Sequence, residues 1–284
     1  MSLIKAILIL AKFRIMFALW LTALCGQLLA SNGYLSILEI LKLFVVMILS
    51  SLGAKIYNHL LDVKIDGEML RTANRADAVK KIGVQKLWII ASILVLFSLT
   101  FSLAWYHWSV AFIILLALFS YVIWYTLFLK RNDPFGTVLG GLSGALPVFI
   151  GSYTVTTQNI VEVWLMFLFM MLWQPPHFWA LSLKLKDDYA KAGIPAFAVV
   201  YSETYTKLFI YLYAMTLLPV TLFIGYYAGF GQFYFISSIL IGFWYIIVTL
   251  WSLEKIKNFN RAFYATLIYM VFYMIITITA VYIK

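Results

Sequence analysis

The chain is 284 residues long, 64% hydrophobic and only 11% charged, with a formal net charge of +10. Soluble domains carry about 25% charged residues, so this composition excludes a water-soluble globular protein. It fits a polytopic membrane protein whose helices close their backbone hydrogen bonds internally. The positive charge gives no support to nucleic-acid binding, which needs a basic face outside the bilayer.

Windows of about 20 apolar residues predict nine membrane spans, at 13–31, 36–57, 86–104, 108–128, 137–156, 160–182, 207–228, 232–252 and 262–282. The expected fold is therefore all-α, a single integral-membrane domain over residues 1–284. Span one is read as uncleaved, because Lys12 and Arg14 lead into a full-length apolar stretch. Its Cys25 is the sole cysteine, which rules out an internal disulfide.

After span two comes the most informative stretch, Asn58 to Arg75. Asn58, Asp62 and Asp66 lie four residues apart twice over, which on an α-helix stacks them on one face at roughly 6 Å of rise per step. Two carboxylates and an amide suit Mg²⁺, a hard cation that takes oxygen ligands and keeps waters or substrate phosphates in its shell. Arg71 and Arg75 follow, and their planar guanidinium forks match phosphate oxygens two at a time. The competing reading is a solvated loop between two membrane helices. Against it, three of the chain's eleven acidic residues fall within seven positions here, and the pattern describes a pocket for a diphosphate.

Between spans four and five stand Tyr125-Thr126 and then Lys130-Arg131-Asn132-Asp133-Pro134, either a basic anchor with a turn or a further phosphate contact. Span five opens with Gly136, Gly140, Gly141 and Gly144, small residues that let helices approach closely in lipid. Span six carries Trp173-Gln174-Pro175-Pro176-His177-Phe178-Trp179. Two prolines remove backbone donors, and polar Gln174 and His177 beside them are expensive in hydrocarbon, a mark of function by default. His177 is either a helix-packing hydrogen bond or a ligand to a haem-type iron. Asp187 and Asp188 follow with Lys184 and Lys191 nearby, a set able to serve a second cation and the far end of a diphosphate.

Charge placement tests the span count. With nine spans, the N-terminus and the even-numbered connections share one side, and 19 of the 21 basic residues fall there; only Lys42 and Lys284 do not. The positive-inside rule makes that side cytoplasmic. Both long connections, 58–85 and 183–206, lie on it, where chemistry is to be sought.

The Asn58, Asp62, Asp66 spacing followed by Arg71-Thr72 and Asn74-Arg75 resembles the first signature of the UbiA superfamily of intramembrane prenyltransferases. The stretch from Trp173 to Pro195, with Tyr125-Thr126, Leu129-Lys130-Arg131 and Gly144-Ala145-Leu146-Pro147, is similar to one branch, the protohaem IX farnesyltransferases or haem O synthases. The resemblance covers the whole chain. It departs from the branch pattern at Ala76, where proline is usual, at Gly136 and at Ala196, and the second loop lacks a second Asp-x-x-x-Asp.

The resemblance implies nine helices around a central cavity under a cytoplasmic cap made by the two long loops. It implies Mg²⁺-dependent transfer of a farnesyl group from farnesyl diphosphate to the 2-vinyl group of haem B. Metal binding would fall on Asn58, Asp62 and Asp66, which form the catalytic set. Diphosphate binding would fall on Arg71, Arg75, Lys130, Arg131 and Lys184, with Asp187 and Asp188 as second-loop acids, and acceptor binding on His177, Trp173 and Gln174. The implied setting is the cytoplasmic membrane of a bacterium, N-terminus inside and C-terminus opposite. A haem A synthase or terminal-oxidase assembly factors would be partners. A prenyltransferase for a quinone precursor and a membrane transporter are the alternatives.

Overall fold

A computed structural model describes residues 2–69, 71–155 and 160–283; the expected end of span five at 156 and the C-terminal Lys284 lie outside them. The described residues form helices and no strand. In chain order these are α1 (Leu3–Ala11), α2 (Phe13–Ser31), α3 (Ile37–Leu61), α4 (Val63–Glu68), α5 (Ala73–Ile82), α6 (Val84–Trp105), α7 (Trp108–Leu118), a π-helix (Phe119–Leu129) and α8 (Lys130–Asn132). They continue as α9 (Gly136–Gly140), α10 (Leu142–Ala145), α11 (Pro147–Ser152), α12 (Ile160–Lys184), α13 (Lys186–Lys191), α14 (Phe197–Val200), α15 (Glu203–Ala228), α16 (Gln232–Glu254) and α17 (Phe259–Tyr282).

Among the described residues, seven stretches are long and apolar enough to cross a membrane: Leu3–Ser31, Ile37–Leu61, Val84–Trp105, Trp108–Asn132, Glu203–Ala228, Gln232–Glu254 and Phe259–Tyr282. The other two expected spans differ for physical reasons. Span five is broken into α9, α10 and α11 by its glycines and Pro147. Span six is the 25-residue α12, whose Gln174-Pro175-Pro176-His177 dilutes its apolar character. Large apolar side chains such as Leu96, Phe112, Phe119, Leu240 and Ile247 are exposed around the bundle, a surface that only lipid tolerates. The protein is an integral membrane protein.

Local chemistry sets the helix ends. Ser36 accepts from the Glu39 amide at 3.2 Å while the Glu39 carboxylate accepts from the Ser36 amide at 2.8 Å, a reciprocal cap at the start of α3. Gly229, at φ +65°, ends α15 in the left-handed conformation that costs a glycine nothing. Helices α2, α11, α12, α15, α16 and α17 share the largest core, built on Phe169, Tyr234, Tyr245, Tyr269 and Tyr273. A second core joins α2, α3, α7 and α11. Where α2 meets α11 the backbones touch: a Cβ on Gly151 would overlap the Ala23 carbonyl, and one on Gly26 the Val148 carbonyl.

The short helix α1 was not expected. It ends at Lys12, which has φ 45° and ψ 53°, and packs Ala6 and Leu10 against Ile56 and Leu60 of α3 and Ala78 and Val79 of α5. Its other face exposes Leu3, Ile4, Ile7 and Leu8.

Candidate active site

The helix α3 ends at Leu61, yet the four-residue spacing survives the break. The Asp62 amide donates to the Asn58 carbonyl at 2.9 Å and the Asp66 amide to the Asp62 carbonyl at 2.7 Å, so helical bonding carries across the junction. Asn58, Asp62 and Asp66 are all buried, at 8%, 2% and 3% exposure. They are not splayed toward lipid or water.

Asp62 is the hub. Its Oδ2 accepts from Lys130 Nζ at 2.5 Å and from Asn58 Nδ2 at 3.0 Å. Its Oδ1 lies 3.5 Å from Arg131 Nη2 and accepts no hydrogen bond among the described residues. Asn58 Nδ2 also donates to Thr126 Oγ1 at 3.1 Å, and Thr126 in turn donates to the Tyr121 carbonyl five residues back, inside the π-helix. A π-turn widens the helix and is frequent at functional sites. Here it aims Tyr121 and Thr126 at α3 and lays the Tyr125 ring against Gly140 of α9.

Asp66 sits beside a different pair, 3.6 Å from Arg75 Nη1 and 3.6 Å from His59 Nδ1. Burial pushes its carboxyl upward, but His59, Arg75 and Lys130 outweigh that and hold it below the ordinary carboxylate value. His59 is fully buried and neither ring nitrogen has a hydrogen-bond partner among the described residues. The Thr72 hydroxyl donates to the Asp66 carbonyl at 3.0 Å, pinning the loop that presents Arg71 and Arg75.

Arg71 is exposed and its charge, with that of Arg75, acts on the Tyr189 phenol of α13, so the two long loops approach each other over the site. Below them lies a largely apolar cavity of about 180 Å³, lined by α2, α3, α7, the π-helix, α9 to α11 and α12. A smaller one, of about 60 Å³, reaches Lys130, Trp179 and Tyr189; Tyr125 and Phe178 line both.

The structure thus brings together Asn58, Asp62, Asp66, Arg75, Lys130 and Arg131. It places the expected acceptor residues apart. Gln174 lines the cavity, donating from Nε2 to the Gly141 carbonyl at 2.7 Å, in space that a Cβ on Gly144 would fill. Trp173 and His177 face α17 instead: Trp173 Nε1 donates to the Thr266 carbonyl at 2.8 Å, and His177 Nδ1 bonds the Thr266 hydroxyl at 2.7 Å between the rings of Trp173 and Phe263. Lys184 donates to Asn260 Oδ1 at 2.6 Å, on the exposed surface. Asp187 is exposed and Asp188 half-buried, and neither forms an ion pair among the described residues. No group of three His, Cys, Asp or Glu able to hold a metal occurs among the described residues; the set at hand is two carboxylates and an amide.

Sequence reading missed Lys55, His59 and Tyr121. Lys55 and His59 had a usable signal, since they flank Asn58 on α3. Tyr121 had none, because nothing in an apolar run marks a π-turn.

The model of the UbiA prenyltransferase family matches residues 19–275. The chain belongs to the UbiA prenyltransferase family. A protoheme IX farnesyltransferase of Geotalea uraniireducens is 36% identical over 244 residues, covering 86% of this chain and 94% of the relative. A solved structure concerned with digeranylgeranylglyceryl phosphate synthase in membranes superposes with a TM-score of 0.79 at 18% identity, over 100% of both chains. A UbiA homolog from Archaeoglobus fulgidus bound to GPP and Mg²⁺ gives a TM-score of 0.72 at 12% identity, over 96% of this chain and 99% of that one. As a UbiA family member the protein is a prenyltransferase, and its all-helical membrane architecture is that of the family's solved folds.

Proposed function

We propose that the protein transfers the farnesyl group of farnesyl diphosphate to the 2-vinyl group of haem B, giving haem O and diphosphate. The observation that carries this reading is the match, over most of both chains, to relatives named protoheme IX farnesyltransferase. The geometry supports it with buried acids ringed by Arg75, Lys130 and Arg131 beside an apolar cavity. The N-terminus and cap would face the cytoplasm of a bacterial cell.

The residues fit Mg²⁺: Asp62 and Asp66 are hard oxygen donors, and Asp62 Oδ1 is buried without a hydrogen-bond partner among the described residues. Asn58, Asp62 and Asp66 would hold the ion. When bound, it supplies Lewis-acid stabilisation of the departing diphosphate. The chain's own cations do the rest of the binding, Arg71, Arg75, Lys130 and Arg131 taking phosphoryl oxygens as charge-assisted donors.

As the C1–O bond breaks, its electron pair leaves with the diphosphate and the allylic carbon becomes electron-poor. The vinyl π pair forms the new C–C bond, and water then captures the resulting cation, losing a proton to give a hydroxyl. The apolar cavity walls exclude water from the first step. No general base is needed to start it.

The decisive experiment is mass analysis of haem extracted after incubating the purified protein in nanodiscs with haem B, farnesyl diphosphate and Mg²⁺. A haem enlarged by one farnesyl group and one hydroxyl group is expected. Unmodified haem, with farnesyl found instead on an added aromatic acid, would replace this reading with the quinone-precursor one.

A further inference from the structure

Lys55 lies three residues before Asn58 and seven before Asp62, so all three share one face of α3, with Lys55 one and two turns deeper in the bundle. It is half-buried and is the single charged residue in the cavity lining among the described residues. Its ammonium donates to the Tyr121 hydroxyl at 2.7 Å and lies 4.4 Å from that ring's centroid. No carboxylate among the described residues lies within 4.0 Å of it. An ammonium has three donors, and one hydrogen bond to a neutral phenol leaves both charge and donors unsatisfied. Such a charge inside a membrane bundle is costly and marks a ligand site.

The ligand must be anionic, and position decides which anion. Lys55 stands where the apolar cavity meets the acidic and basic cluster. The π-helix clasps both neighbours, Tyr121 holding Lys55 and Thr126 holding Asn58. A substrate with its tail in the cavity and its diphosphate among Asp62, Arg75 and Lys130 places at Lys55 the phosphoryl group nearest the isoprenoid carbon.

We propose that Lys55, held by the Tyr121 hydroxyl, is a catalytic residue that hydrogen-bonds the phosphoryl oxygens next to C1 and stabilises the charge gathering there as the C1–O bond breaks. The proton stays on nitrogen, and the bond's electron pair leaves on oxygen. The inference rests on the prenyl-transfer reading above and names a residue outside its metal and diphosphate set.

The test uses the full-length protein in nanodiscs and two separate titrations, one with the unreactive analogue farnesyl S-thiolodiphosphate and one with haem B, alongside single-turnover rates. Lys55→Met is expected to weaken analogue binding or slow the bond-breaking step by about 10- to 100-fold. Lys55→Arg should recover part of the loss, and the haem titration should not move. Analogue affinity and rate both unchanged in Lys55→Met would overturn the proposal. So would weakened haem binding with intact analogue binding, which would assign Lys55 to an acceptor carboxylate. If Lys55→Met fails to insert, Tyr121→Phe keeps the ammonium and should lose about 3- to 10-fold in analogue affinity; no loss there also overturns it. A wild-type protein that bound no analogue would remove the proposed function together with this role, whereas wild-type binding with an indifferent variant removes only the role of Lys55.

Discussion

The catalytic role proposed for Asp62 is separable from its structural one, and Asp62→Asn with a compensating partner change divides them. The carboxylate is 2% exposed and its Oδ2 takes Lys130 Nζ at 2.5 Å. Asparagine keeps the shape and removes the charge, leaving the Lys130 ammonium without its anion. Stranding one member of a buried pair costs about 3–5 kcal/mol, but the Lys130 side chain retains 17% exposure and Arg131 retains 37%, so water screens part of the loss. A destabilisation of about 2 kcal/mol is expected, roughly a thirtyfold change in the folding equilibrium. The double variant Asp62→Asn, Lys130→Met has no stranded ammonium, leaves only the 37% exposed Arg131 without its anion, and should regain most of that stability. It should not regain activity, because the proposed oxygen donor for a divalent ion and a cation proposed to bind phosphate are both gone. Thermal unfolding in nanodiscs and farnesyl diphosphate turnover read the two quantities on the same samples. Turnover restored in the stabilised double variant would show that Asp62 serves the fold alone, and the catalytic reading of this cluster would be lost.

Gly151→Ala should destabilise the bundle by about 1–3 kcal/mol, because the new methyl meets the Ala23 backbone, which has nowhere to go; an unchanged unfolding midpoint would contradict the close α2–α11 approach. His177→Ala should cost about 1–3 kcal/mol of stability through the lost hydrogen bond to Thr266 and lost ring packing, with the haem titration unchanged; weakened haem binding would return His177 to the acceptor site that its sequence position suggested. Asp66 has a folded pKa held below its unfolded value of about 3.9, so its contribution to stability is complete above that value and fades only as pH falls through the lower folded value. The stability gap between wild type and Asp66→Asn should therefore stay constant from pH 7 to about 5 and close only in stronger acid; a gap that closed near neutrality would reverse the sign of the shift.

The membrane class and most spans are legible because composition alone distinguishes lipid-facing helices. The Asn58, Asp62, Asp66 spacing is legible because i, i+4 geometry is local, and it holds even though α3 stops at Leu61. What joins distant segments is not. Lys130 meets Asp62 across 68 residues and His177 meets Thr266 across 89, and no periodicity reports such pairings. The polarity of His177 correctly signals that it needs a partner, but not whether that partner is a substrate or a neighbouring helix. The π-turn at Phe119–Leu129 is equally silent, since an apolar run satisfies either helical pitch. The break at 136–152 was half visible: its glycines announced close packing, and the same residues shortened the helix.

The opening helix gives the cap its footing. Arg75, the guanidinium next to Asp66, belongs to α5, and α5 rests its Ala78 and Val79 on Ala6 and Leu10. Because the reverse side of α1 exposes Leu3, Ile4, Ile7 and Leu8, a face suited to lipid, the loop proposed to grip phosphate rests on a helix able to moor it to the bilayer as well as to its own bundle. A shift in how deeply that helix rides among the headgroups would be transmitted, through two small hydrophobic contacts, to the placement of a single arginine.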